Sequence, residues 1–332
     1  MKRTLSFLLL VAAVSAADDP VADAKAAWKA RDYAKVTQLL AAAAGKPDAV
    51  FLQALMAETG RGAEMSPAAA AKLYREAMEK GSRDATAAWG RYLITGAGGV
   101  PKDQTQGLFL IRKAAEAGSP AAMTLMGDFA LNGTGQEADP RTAAFWYQRA
   151  SAEKEPSGFL GLAKLYDAGA AGLVKDEARA TTLVQEAAKL GEPLAMNEMG
   201  VRYQNGLGVP QDNVAAVGWF SIAAQHDLGA ALVNLGNCYE TGNGCLPDAD
   251  RAGANYAAAA KQGHPAGQFM LASLFERGLG TKANPVYAYM NYFRSAAAGY
   301  KDAAAKRDAV KAALTPEQLA EAEKLLTPGA GK

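Results

Sequence analysis

Ser151 and Lys154 stand three apart in Ser-Ala-Glu-Lys, a spacing that places a hydroxyl near an amine one helical turn away and is used by acyl-transferring serine enzymes. The companion S-D-N and K-T-G elements are missing from the chain, so the match reads as coincidence. Carboxylates recur at Asp103, Asp139, Asp176, Asp212 and Asp248. A close pair of carboxylates could do general acid–base work, but successive members here lie one whole repeat apart. Each also heads a helical pattern, where a carboxylate accepts hydrogen bonds from exposed amides. His226 and His264, the two histidines, lack any H-E-x-x-H or C-x-x-C context and point to helix ends rather than to a metal. The glycine loops are neither preceded by a strand nor followed by Gly-Lys-Ser/Thr, so they are not phosphate cradles. No catalytic residue, metal or cofactor is expected.

Cys238 and Cys245 lie in one repeat, the first near a helix end and the second at the loop place held by Val209 one repeat earlier. An even pair in an exported protein favours a disulfide. Such a bridge would pin the turn to its own helix if the α-carbons come within ~7 Å. The other reading is two partly buried thiols filling apolar space.

The elements that must position these residues come from a period of about 36 residues. A small residue recurs at Ala54, Gly90, Gly127, Ala163, Gly200, Gly236 and Ala272, and a loop glycine follows at Gly60, Gly96, Gly133, Gly169, Gly206, Gly242 and Gly278. Next comes an N-cap column, Ser66, Asp103, Asp139, Asp176, Asp212, Asp248 and Asn284, with Pro67, Pro140 and Pro285 one place later. Each unit is therefore helix A, glycine turn, cap, helix B. A period of this size specifies a stacked all-α solenoid in which no unit buries its apolar face alone.

The run A-x-x-x-M-G-x-x-Y-x-x-G-x-G-V-x-x-D in residues 195–212, with W-F-x-x-A-A at residues 219–224, resembles the Sel-one-like repeat, a relative of the tetratricopeptide repeat. Similar strings begin at Leu125, Leu235 and Leu271. The resemblance implies a right-handed α/α solenoid of about seven repeats over residues 48–301. It also implies a non-enzymatic adaptor that binds a protein or peptide on the concave, helix-A side, to regulate an envelope sensor, an assembly or a host factor. Some cysteine-rich exported members of the family are associated with cell-wall or β-lactam chemistry, but this chain lacks their cysteines in most repeats.

The chain opens with Lys2 and Arg3, an apolar run over residues 5–13, and small residues at Ala16 and Ala17. This is the pattern of a cleaved signal peptide over residues 1–17, shorter than the ~20 residues a membrane span needs. The mature chain is expected in a periplasm or outside the cell, without membrane insertion. Cleavage turns the formal charge from +1 to −1, leaving no global attraction to nucleic acid. Residues 18–47, carrying Trp28, Tyr33, Val36 and Leu39, read as a capping helix pair. Residues 302–327, with Thr315 as an N-cap, read as closing helices, and residues 328–332 as a disordered tail.

On helix A, Met126, Leu162, Met199, Leu235 and Leu271 share a face with Tyr166, Tyr203, Tyr239 and Phe275, and are expected in the core. The opposite stripe varies, and its members Thr124, Asp128, Lys164, Asn197, Val201, Val233, Asn237, Phe269 and Ser273 are the candidate partner-binding residues. Val233 and Phe269 are singled out as exposed apolar residues of a groove.

Overall fold

The computed structural model describes residues 19–135 and 137–326. The expected signal peptide and C-terminal tail fall outside them. The described residues form eighteen α-helices and one 3-10 turn, Ala97–Gly99. The chain divides into two compact units, ending at Met126 and beginning at Gly127, a division that no linker in the sequence announces.

Unit 1 contains α1 (Pro20–Lys29), α2 (Tyr33–Ala42), α3 (Pro47–Thr59), α4 (Pro67–Glu79), α5 (Arg83–Thr95) and α6 (Gln104–Glu116). Helix α7 (Pro120–Asn132) carries the boundary. Unit 2 continues with α8 (Pro140–Ala152), α9 (Pro156–Ala168), α10 (Glu177–Lys189), α11 (Pro193–Asn205), α12 (Asn213–Ala224), α13 (Gly229–Thr241), α14 (Ala249–Lys261), α15 (Pro265–Arg277) and α16 (Pro285–Ala297). It ends with α17 (Ala303–Ala313) and α18 (Pro316–Leu326).

Polar side chains start the B helices. Ser66, Asp103, Asp176, Asp212, Asp248 and Asn284 each accept the amide three residues on, and Asp139 accepts that of Arg141. Such caps contribute about 1 kcal/mol apiece. Several A helices carry proline in the first turn, where a missing N–H costs little, and α3 and α9 have no side-chain cap besides. At α15 the cap is His264, whose Nδ1 accepts the Gly267 amide at 3.4 Å. This imidazole therefore serves the start of an A helix, not the end of the B helix before it. Burial lowers its pKa, which favours the neutral, accepting form.

The two glycines of each turn answer different demands. The first ends helix A in the left-handed region, as at Gly206 with φ +69°, where an L side chain is strained. The second lies where adjacent repeats meet. A Cβ on Gly98, Gly208, Gly244 or Gly280 would stand 2.4, 2.1, 2.1 or 2.6 Å from the carbonyl oxygen of Pro67, Glu177, Asn213 or Ala249, the first residue of the preceding B helix. The small mid-helix residues have a third role. Gly200 and Gly236 leave room for the rings of Phe220 and Tyr256, which a Cβ would approach to 2.5 Å. Those rings are fully buried, worth roughly 1.5–3 kcal/mol each.

In unit 1, α1 and α2 cover α3 through Val36, Leu40 and Leu52. Ser82 and Ser119, at the starts of A-helix segments, donate to Asp48 and Asp84 one repeat earlier at 3.1 and 2.7 Å. In unit 2, α17 and α18 pack Val310 and Ala322 with Tyr289 and Tyr292. A capping box at α18 joins Thr315 and Gln318 through bonds of 3.0 and 3.2 Å.

Candidate functional site

The nine stripe residues do not share one environment. Thr124, in unit 1, is buried and its hydroxyl donates to the Pro120 carbonyl at 3.3 Å. Asp128 accepts the hydroxyl of Tyr147 at 2.6 Å, and the Asn237 side-chain amide lies 2.6 Å from the hydroxyl of Tyr256. Val201 packs beside Phe220 and Leu235, and the Ser273 carbonyl accepts from Arg277 at 3.2 Å. The expectation that Val233 and Phe269 are exposed in a groove is overturned. Val233 is 7% exposed in a cluster with Leu232, Tyr256 and Leu274, covered by α15. Phe269 lies half-buried between Tyr292 and Tyr300, with ring centroids 5.2 and 5.1 Å away. Position along a helix fixes direction, but the packing around it decides what that direction meets, the next repeat for Val233 and the rest of its own repeat for Phe269.

Two members of the stripe, exposed Lys164 and half-buried Asn197, do come together. They line a recess of about 260 Å³ between α9 and α11, with Leu160 and Leu194 at its sides and Asp167, Glu198 and Arg202 in its wall. Arg202 is 2% exposed. Its Nη2 pairs with Asp167 Oδ2, and its Nη1 donates to Thr181 Oγ at 3.0 Å and to Asp167 Oδ1 at 3.3 Å. Its Nε lies 3.2 Å from Glu198 Oε1 without the alignment of a hydrogen bond. Asn197 Oδ1 accepts Asn234 Nδ2 at 2.9 Å.

Sequence reasoning missed Asp167, Thr181, Glu198 and Arg202. The available signal was a column break: the equivalents of Arg202 are Met56, Tyr92, Phe129, Leu165, Cys238 and Leu274, and those of Thr181 are Ala71, Leu108, Ala144, Val217, Gly253 and Tyr289. A guanidinium and a hydroxyl that bond each other thus replace two apolar residues in one repeat. Burying that arginine needs paired, hydrogen-bonded carboxylates, and Asp167 and Glu198 supply them.

The recess holds two cations and two carboxylates, so it suits a ligand with both donors and acceptors rather than a polyanion. Its lining contains no hydroxyl nucleophile, thiol or imidazole. Elsewhere in unit 2, Ser151 Oγ is taken up by the Gln148 carbonyl at 2.9 Å, and Lys154 lies exposed beyond α8 at φ +58°. That geometry does not make an activated hydroxyl–amine pair. The two cysteines are free, in place of the expected bridge, with the Cys245 thiol donating to the Cys238 carbonyl at 3.4 Å. Burial pushes the Cys238 thiol up to about 11. No helix among the described residues is long and apolar enough to cross a membrane.

Repeated helix pairs with a recess on the A-helix side define an α-helical repeat protein. The model of the Sel1 repeat matches residues 47–82, 83–119, 120–154, 159–192, 193–228, 229–264 and 265–300, and the chain belongs to this family. Sel1 repeat proteins typically act as protein–protein interaction scaffolds. Among solved structures, the chain is similar to a protective antigen present in uropathogenic Escherichia coli strains that displays an SLR fold. That similarity has 28% identity and a TM-score of 0.65, covering 90% of this chain and 62% of that one. The chain thus spans about 62% of that antigen's length. A Sel1 repeat protein from Oxalobacter formigenes is 27% identical with a TM-score of 0.59, over 85% of each chain. No curated protein matches the chain.

Proposed function

We propose that this chain is an exported, non-enzymatic scaffold that holds a protein or peptide segment at the α9–α11 recess. The observation that carries the reading is the Arg202–Thr181–Asp167 network. It puts a guanidinium and a hydroxyl into columns that other repeats fill mostly with apolar residues, and although Thr181 also bonds the Leu207 carbonyl at 2.8 Å, the buried cation beside two part-exposed carboxylates is peculiar to this repeat. Lys164 and Asn197 offer donors at the mouth of the recess, Asp167 and Glu198 offer acceptors, and Leu160 and Leu194 give apolar sides. This mixture matches a peptide backbone with a small side chain. Export rests on the basic start, short apolar run and small residues of positions 1–17, and the similarity to a protective antigen is in keeping with it. The family resemblance to adaptors supports the non-enzymatic reading.

The test is crosslinking in the native envelope followed by quantitative recovery of bound proteins, for the natural chain and for Lys164→Glu combined with Asn197→Ala. At least a tenfold loss of the main partner is expected from the double substitution, because both residues face the recess and one change reverses charge. Equal recovery would exclude this recess as the binding surface. Sequencing the N-terminus of the recovered protein should give a start close to residue 18.

A further inference from the structure

A second recess lies in unit 1, between α4, α5 and the loop at residues 97–103, with a volume of about 540 Å³. Lys72 and Arg75 stand on its α4 side and Lys102 on its loop side, while Trp89, Leu93 and Val100 supply an apolar wall. Arg75 pairs with Glu79 at 3.0 Å along its own helix. Lys72 and Lys102 are exposed and have no ion-pair partner among the described residues. The acid in the lining is Asp103, and its Oδ1 is occupied by the Gln106 amide at 2.9 Å. The recess therefore carries an uncompensated positive charge in a chain whose total formal charge is +1.

The fold does not demand this chemistry. Repeats of unit 2 carry Phe145 and Gln148, Thr182 and Gln185, Gly218 and Ser221, and Ala254 and Ala257 at the places of Lys72 and Arg75. Helix A has Leu162, Met199, Leu235 and Leu271 at the place of Trp89. The corresponding recess between α14 and α15, about 390 Å³, is lined by Ala254, Ala257, Leu271 and Thr281, with one acid, Asp250. The loop at residues 96–103 is also one residue longer than its equivalent at residues 278–284. Positive φ at Gly98 and Gly99 accommodates the extra residue, and the stem of Lys102 lies over Gly96.

We infer that the α4–α5 recess of unit 1 is a second binding site, and that it takes an acidic peptide segment carrying an apolar or aromatic side chain between its carboxylates. The cations would meet the carboxylates, and the indole with Leu93 and Val100 would receive the apolar side chain. A bare phosphate would leave that apolar wall unused. This site is separate from the α9–α11 recess, so either can fail without the other.

The test uses the full mature chain and a labelled hexapeptide, acetyl-Glu-Asp-Leu-Glu-Asp-Phe-amide, read by fluorescence polarisation and by Trp89 emission in a Trp28→Phe/Trp146→Phe/Trp219→Phe background. Binding to the unsubstituted protein should weaken at least tenfold in Lys72→Glu/Lys102→Glu. Both positions are exposed, so the fold should survive, as an unchanged melting curve checks. Lys113→Glu, an exposed change on α6, should leave binding unchanged, and the Gln/Asn counterpart of the peptide should bind at least tenfold more weakly. Grafting Ala254→Lys/Ala257→Arg into unit 2 of the double variant should restore measurable binding. Equal affinity in Lys72→Glu/Lys102→Glu, or equal binding of the neutral peptide, would overturn the assignment. So would full competition by inorganic phosphate or a short DNA duplex, which would show a site for polyanions instead of peptide.

Discussion

The recess between α4 and α5 in unit 1 and the one between α14 and α15 in unit 2 have the same frame and different chemistry. Both are closed by the second glycine of a turn pressed on the first carbonyl of the preceding B helix, Gly98 on Pro67 and Gly280 on Ala249. Around that contact, one lining has Lys72, Arg75 and Trp89 where the other has Ala254, Ala257 and Leu271. The difference teaches that the repeat fixes backbone approach through glycine and leaves the neighbouring side chains free to vary. Residues shared between the two recesses are explained by stacking; residues that differ need another explanation.

The strongest way to break this comparison is to attack the shared frame. Gly98→Ala and Gly280→Ala each force a Cβ to within 2.4 and 2.6 Å of a carbonyl oxygen at positive φ. Strain and overpacking together should cost about 2–4 kcal/mol in both units. Gly99→Ala, also at positive φ but with nothing near its Cβ, should cost only about 1 kcal/mol. Thermal unfolding of the three variants checks this. If Gly98→Ala and Gly280→Ala differed by more than the gap between either one and Gly99→Ala, the two recesses would not be one frame.

A somewhat smaller effect sharpens the split between frame and chemistry. Arg202→Ala removes the cation facing Asp167 and Glu198 and should cost about 2–3 kcal/mol, less than for fully buried acids because both carboxylates keep some solvent. Arg202→Leu with Thr181→Val restores the residue types of neighbouring columns and should hold stability within about 1 kcal/mol of the natural chain. The same pair should still lose the partner of the α9–α11 recess. A pair that stayed several kcal/mol unstable would make Arg202 a structural residue.

The fold was legible because its rules act within one repeat. The cap column of Ser66, Asp103, Asp139, Asp176, Asp212, Asp248 and Asn284 meets local amides, and glycine at helix ends answers a local φ. What acts between repeats was not legible. Val233 packs with Tyr256 of its own B helix under α15 of the next repeat, and Phe269 packs with Tyr292 of its own B helix and with Tyr300, so spacing along helix A alone does not show that they are covered. Lys164 and Asn197 could be named from spacing, but their meeting with Arg202 depends on how α9 lies against α11. Arg202 itself carried a readable sign, a charge in an apolar column, which a search for recurring features passes over because it occurs once.

The smallest effect is silent at neutral pH and compares the two units through tyrosines of the shared frame. Tyr74 donates to Glu58 at 2.6 Å in unit 1, while Tyr147, Tyr256 and Tyr292 donate to Asp128, Glu240 and Glu276 at 2.6, 2.8 and 2.7 Å in unit 2. Burial first, and then the carboxylate, raises each hydroxyl above its ordinary value of 10.0. Tyr92 is pushed up to about 12, by burial and then by Glu58. In the unfolded chain these hydroxyls lose protons near pH 10, so above that pH the folded state binds more protons than the unfolded one. The stability they contribute is complete below about pH 10 and falls as pH rises further. The melting midpoint should stay level between pH 7 and 9 as far as these groups are concerned and decline above about 10. Unit 2, with three such hydroxyls against two in unit 1, should show the larger rise in amide hydrogen exchange, corrected for intrinsic rate. Tyr256→Phe should shallow the decline in unit 2 and leave unit 1 unchanged; a decline of equal slope in that variant would separate alkaline sensitivity from these tyrosines.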